Sequence, residues 1–250
     1  MSEPGRYQYL TFNSPLSDAR AEALADRVAR RLPADDAVVH DLGCGWGELL
    51  MRIAARAPQA RAVGVDSDPS LVDRATAAAT ERHLGTRVTF DTGDAADDHG
   101  TADAVVCIGA SHIWEGLEAA LAALRARTRP GGTVVLGEGT WPPGAMADPT
   151  VVPPDMPAMP STADLVDLAV GAGFRPLHVE EASREEWDAF ESRYLRDLEE
   201  WLLAHPGHAD ADDVRRRADE HRTRWLRGYR GLLGLCYLTL GVPAVDEPPR

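Results

Sequence analysis

The stretch that most constrains this chain is VVHDLGCGWGELL, from Val38 to Leu50. A short apolar run ends in an acid, glycines follow at alternate positions (Gly43, Gly45 and Gly47), and a helical pattern then begins. This order of residue types suits a buried parallel strand that stops, turns sharply and enters a helix with unpaired N–H groups at its start. Glycines in such a turn let a ligand approach the backbone where a Cβ would collide with it. A nucleotide-like cofactor is held in this way at the carboxyl edge of a parallel sheet. The spacing narrows the choice. Dinucleotide folds follow G-x-G-x-x-G, with the third glycine three residues after the second. Here that position is Glu48 and the third glycine is Gly47, so the pattern from Asp41 is D-x-G-x-G-x-G.

The rest of the chain alternates strand and helix patterns. A helix after Ser17 carries Leu24, Val28 and Leu32, and the preceding arm, with Tyr7, Tyr9, Phe12 and Asn13, is placed either to fold over a cofactor or simply to lead into that helix. Strands are expected at 37–41, 61–66, 87–90, 102–108, 133–137, 174–180 and 232–240, with helices between the first six. Arg129-Pro130-Gly131-Gly132 reads as a tight turn into the fifth strand. Seven prolines, at 142, 143, 149, 153, 154, 157 and 160, mark a loop of unusual length after it, suited to the substrate side. Two amphipathic helices then carry Trp187, Phe190, Tyr194, Leu198 and Trp201, and Val214, Ala218, His221, Trp225 and Tyr229. A polar tail from Pro243 closes the chain.

Four strand tips hold chemistry in the right order: Asp41 with its glycines, Asp66, Asp94, and Gly109 to His112. Asp66 ends the strand beside the glycine turn, where a carboxylate accepts both hydroxyls of a ribose. Together with the R-P-G-G turn, these tips resemble the class I S-adenosylmethionine-dependent methyltransferases. NSPLSDARAEAL, GASH and GEGTW look like a group of bacterial small-molecule methyltransferases within that family. The resemblance spans roughly residues 15–180 and the last strand.

The resemblance implies an α/β fold, a doubly wound Rossmann-like sheet of seven strands. The sheet is mostly parallel with an antiparallel last strand, and a two-helix insertion lies between strands six and seven. Within one domain over 1–250, it gives an arm and helix at 1–35, a cofactor core at 36–180, a helical insertion or cap at 181–231, and the last strand and tail at 232–250. It implies S-adenosylmethionine as cofactor, bound by Asp41, Gly43, Cys44, Gly45, Asp66, Ser67, Gly93, Asp94, Ala95 and Gly109, with Asp94 and the Ala95 N–H meeting adenine. The reaction implied is in-line displacement of a methyl group onto a small-molecule acceptor. His112 is the first candidate base, since imidazole titrates near neutrality, and Glu138 the second; His112 equally suits orienting the acceptor. Trp114 and Trp141 are candidates for the substrate pocket, with core packing as their other reading. Two alternatives stand beside this: a cofactor-binding regulatory or structural protein without turnover, and, disfavoured by Glu48, an NAD-dependent dehydrogenase.

Composition trims the partners. In 250 residues the formal charge is −14, and all 26 basic residues are arginine. That balance argues against nucleic acid and against an anionic membrane surface. Cys44, Cys107 and Cys236 have no paired spacing, as expected of reduced thiols in the cytoplasm. No metal motif is expected: Asp97-Asp98-His99 reads as solvated surface, and His205, His208, Asp210, Asp212 and Asp213 as a polar hairpin loop that caps the second helix. A monomer or a homodimer is expected.

Overall fold

The structure is a computed structural model, and it describes residues 7–145, 156 and 158–244. Much of the proline-rich loop and most of the polar tail therefore lie outside the described residues, as does the start of the arm.

Seven strands form one sheet in the order β3-β2-β1-β4-β5-β7-β6. They are β1 (Val38–Leu42), β2 (Arg61–Asp66), β3 (Val88–Thr92), β4 (Ala102–Ile108), β5 (Thr128–Thr140), β6 (Arg175–Glu181) and β7 (Gly234–Gly241). β1 to β5 pair in parallel, and β7 runs antiparallel between β5 and β6. The helices are α1 (Asp18–Ala29), α2 (Glu48–Arg56), α3 (Pro69–Glu81), α4 (Leu117–Arg127), α5 (Thr162–Gly171), α6 (Arg184–Ala204) and α7 (Ala211–Arg224).

β4 shows why the sheet is covered on both faces. Ala104 and Val106 join a core with α1, α2 and α3, through Leu24, Val28, Ile53 and Val72. Val105 and Cys107 join a second core with α4 and α5, through Leu121, Leu124 and Leu165. A strand buried on both faces must be apolar throughout, and ADAVVCI nearly is.

Local chemistry sets the boundaries. Ser17, Asp68, Ser161 and Ser183 each cap a helix with a side-chain oxygen, and the last two form capping boxes with Asp164 and Glu186. The expected R-P-G-G turn lies inside a longer β5. Ala102 pairs with Thr128 and Ala104 with Thr133, so the turn bulges out of the ladder. Gly131, at φ +82, donates its N–H to the Val242 carbonyl. α4 begins only at Leu117, because Ser111–Ile113 first forms a 3₁₀ turn. The last helix ends at Arg224 and passes into a π turn, Trp225–Tyr229. Leu232 and Leu233 therefore pack beneath α6 and α7, and β7 starts at Gly234.

α6 and α7 form a third apolar cluster around Leu198, Trp201, Val214, Ala218 and Trp225. The aromatic stripe is not the whole of its buried face. Glu191 and Asp197 are also inside, at 2% and 3% exposure. Each has partners, as a buried charge requires. Glu191 accepts from the Tyr229 hydroxyl at 2.6 Å and meets His221 Nε2 at 2.6 Å. Asp197 accepts from the Tyr7 N–H at 3.0 Å and from Gln8 Nε2 at 2.6 Å. It thereby ties the arm to the helical insertion.

Candidate cofactor and acceptor site

A cavity of about 590 Å³ opens at the carboxyl edge of the sheet, where β1, β2, β3 and β4 end. That volume is within the usual range for a small-ligand site.

The glycine turn is fixed by packing beneath it. The Gly43 and Cys44 N–H groups both donate to the Val65 carbonyl, at 2.9 and 3.0 Å, which pins the turn to β2. Gly47 caps α2 at φ +69, and a Cβ there would run into the Phe90 ring of β3. Gly45 differs. A Cβ on it would meet nothing within 4 Å, so its bare backbone faces open cavity. One glycine is needed by the fold and the other leaves room for a ligand.

Asp66 spans the gap between β2 and this turn. Its Oδ2 accepts from the Gly45 N–H at 2.7 Å and its Oδ1 from the Asp68 N–H at 3.0 Å. The carboxylate is thus oriented before any ligand arrives, with lone pairs left for further donors. At the tip of β3, the Gly93 N–H donates to the Asp66 carbonyl at 3.0 Å. Asp94 accepts from the Ala96 N–H at 2.8 Å, and Ala95 is buried beneath it. Asp41 forms the floor. Burial, with the Asp66 charge close by, pushes its carboxyl up to about 7 from an ordinary 3.8. Burial likewise pushes the Cys44 thiol up, so it stays neutral.

The cavity collects Asp41, Gly43, Cys44, Gly45, Asp66, Ser67, Gly93, Asp94, Ala95, Gly109 and His112 from the residues singled out by sequence. It does not collect Glu138, Trp114 or Trp141. Glu138 stands one residue past the Ile108–Gly137 pairing, inside the longer β5, and takes a hydrogen bond from the Ser111 side chain. Trp114 packs against the second core, with the Arg127 guanidinium 5.9 Å over its ring. Trp141, 2% exposed, is buried in the third cluster. Both tryptophans pack against apolar clusters, and neither lines this cavity.

The arm adds residues that sequence reasoning left undecided. Phe12, Asn13, Ser14 and Leu16 line the cavity, as do Trp46 and Leu71. Trp46 Nε1 donates to the Thr11 carbonyl at 2.7 Å, and the Arg74 guanidinium lies 4.1 Å over its ring. Trp46, in the glycine turn, is thus the post on which the arm closes. Its place between two glycines was the available signal.

Among the described residues, no group of three or more His, Cys, Asp or Glu side chains could hold a metal ion. None of the described helices is long and apolar enough to cross a membrane.

Comparison with known proteins agrees with this geometry. A profile described as a methyltransferase domain matches residues 40–134. The uncharacterized protein YjhP of Escherichia coli is 29% identical over 211 residues, covering 81% of this chain and 82% of its own length. A trans-aconitate 2-methyltransferase of Streptomyces avermitilis is 42% identical over 81 residues, but these are 32% of this chain and 30% of that protein. A solved SAM-dependent methyltransferase from Geobacter sulfurreducens, in complex with S-adenosyl-L-homocysteine, superposes over 100% of both chains with a TM-score of 0.80 and 25% identity.

Proposed function

The chain is a class I S-adenosylmethionine-dependent methyltransferase, and from that premise we propose how its own residues divide the work. The observation that carries the proposal is the meeting of four strand tips in one cavity, each with the residue type its position requires. Asp66 receives the ribose hydroxyls. Asp94 and the Ala95 N–H receive adenine, with Gly93 leaving space beside them. Gly43, Gly45 and Gly109 give backbone access to the methionine part, over Asp41, Cys44 and Ser67.

S-adenosylmethionine supplies an electrophilic methyl carbon and leaves as a neutral thioether. Little acid catalysis is needed, so positioning in a water-poor pocket supplies most of the rate. His112 faces this cavity from the 3₁₀ turn after β4, and Glu138 stands behind that turn. They serve a small-molecule acceptor entering over β4 and β5. His112→Ala lowers kcat by about 100-fold, the usual scale for a general base, and leaves cofactor affinity within about twofold. Labelled methyl transfer and calorimetry measure the two; unchanged turnover removes His112 from the mechanism.

Asp41 makes cofactor binding pH-dependent. Its neutral form predominates below about 7 in the free protein, and a cationic ligand favours the ionised form. Affinity therefore rises with pH up to about 7 and levels off above, with a proton released on binding below that point. Calorimetry in buffers of different ionisation enthalpy reads the proton directly. In the ligand-free protein the same group opposes folding. Between 3.8 and about 7 it is ionised only in the unfolded chain, so its contribution to stability falls as pH rises through that window. Asp41→Asn removes that slope.

Trans-aconitate, named for the partial relative, is not carried over as the acceptor. It is a tricarboxylate, and no arginine lines the cavity among the described residues. We place the enzyme in the cytoplasm, with its three thiols free.

A further inference from the structure

The acceptor side has a charge pattern of its own. Asp41, Asp66 and Asp94, given to the cofactor above, and Glu48, paired with Arg52 and Arg82, line the cavity, and among the described residues no basic side chain other than His112 does. The chain has no lysine, and neither residues 109–116 nor residues 138–160 contain an arginine. Arg74 reaches this edge, but it lies over Trp46 and donates to the Tyr7 and Leu10 carbonyls. An anionic acceptor would therefore find no arginine or lysine among the described residues that line this cavity. Like charges brought together across an interface are selected against unless a counter-charge is present.

Glu138 adds a specific demand. It lies within β5, just past the level of the tip of β4, and the Ser111 side chain and the Gly139 N–H donate to it. Its Oε2 is buried, and no donor among the described residues reaches it. Burial pushes this carboxyl above the ordinary range. A buried carboxylate oxygen without a donor is unfavourable until a donor arrives, and a charged N–H is the strongest one on offer. Ser111 and His112 sit on the same 3₁₀ turn, and Ser111 donates to Glu138, so this turn links the carboxyl with an oxygen lacking a donor to the imidazole that faces the cavity.

We propose that the acceptor is an amine, held as its ammonium by Glu138 and methylated on nitrogen, and that Glu138 selects it over carboxylate-bearing and neutral acceptors. The assignment rests on the methyltransferase reading above. The ammonium gives up one proton, which passes through His112 to solvent. The nitrogen lone pair forms the new N–C bond, the C–S bond breaks with its pair left on sulfur, and the product amine takes the positive charge. No oxidant or further reactant is needed.

The test uses the full chain, S-adenosylmethionine carrying a trideuterated methyl group, and a total metabolite extract. Products are found by their mass shift after separation on cation- and anion-exchange resins at neutral pH. Calorimetry with S-adenosylhomocysteine is run first. Absence of that binding overturns the methyltransferase reading itself. With binding present, the expected result is labelled product in the cation-retained fraction. Glu138→Gln is expected to lower that labelling at least about tenfold while S-adenosylhomocysteine affinity stays within about twofold. An extract with no labelled product in the cationic fraction, whether label appears elsewhere or nowhere, overturns the amine assignment alone. Labelling by Glu138→Gln at the parent rate overturns the part given to Glu138. If that variant does not fold, the charge class of the parent's product still decides the assignment, and Glu138→Asp, which keeps the charge, is expected to retain cationic labelling.

Discussion

Replacing Asp66 with alanine lowers affinity for S-adenosylmethionine by about 100-fold or more. The estimate comes from two hydrogen bonds to a charged acceptor, each contributing about 1.5–3 kcal/mol. The loss has a second source. Asp66 also accepts from the Gly45 and Asp68 N–H groups, so alanine frees the glycine turn from the tip of β2. The turn is then less ready for the ligand. Asp66→Asn keeps one carbonyl oxygen and falls between the two, at roughly tenfold weaker binding. Calorimetry gives the affinities and circular dichroism checks the fold. Binding by Asp66→Ala within about threefold of the parent would remove Asp66 from the cofactor site.

Gly47→Ala acts on the fold rather than on the ligand. The new Cβ must sit at φ +69, which costs about 1–2 kcal/mol for a non-glycine residue. It also meets the Phe90 ring inside 3.0 Å, and overpacking of a fitted core costs a further 1–3 kcal/mol or so. The sum, about 2–5 kcal/mol, is a large share of a typical domain's stability. Tm should fall by roughly 5–15 °C on that scale. A second substitution separates the two costs. Phe90→Leu in the Gly47→Ala background opens space and recovers the steric part, while the backbone part remains. A positive coupling between the two sites in a double-mutant cycle is the expected outcome. A Gly47→Ala variant as stable as the parent would contradict the account of the turn.

The tips of the parallel strands were legible because few residue types suit each. A strand that ends against a bound ligand leaves its last residues no choice between packing and chemistry. Asp41, Asp66 and Asp94 follow one another at strand–helix intervals, and Glu48 stands where a dinucleotide turn has glycine. Core strands such as ADAVVCI were legible for the opposite reason, since burial on both faces admits little else.

Other features depend on contacts that no local pattern encodes. The period of α6 marks an apolar stripe, but Glu191 is buried because Tyr229 and His221 reach it from a later segment. Asp197 is buried because an arm 190 residues earlier donates to it. The length of β5 depends on the bulge opposite Ala102 and Ala104. Trp141 has the composition of a pocket residue and the surroundings of a core residue, and only the packing of α6 and α7 decides between them. Glu138 was found as an acid at a strand end; the oxygen without a donor appears only when its neighbours are in place.

The central claim is that this carboxyl edge binds the sulfonium cofactor and not a dinucleotide. Calorimetry of one preparation against S-adenosylmethionine, S-adenosylhomocysteine and NAD tests it most directly. The account predicts saturable one-to-one binding of the first two, weakened about 100-fold by Asp66→Ala, and no binding of NAD. Binding of NAD alone would contradict it.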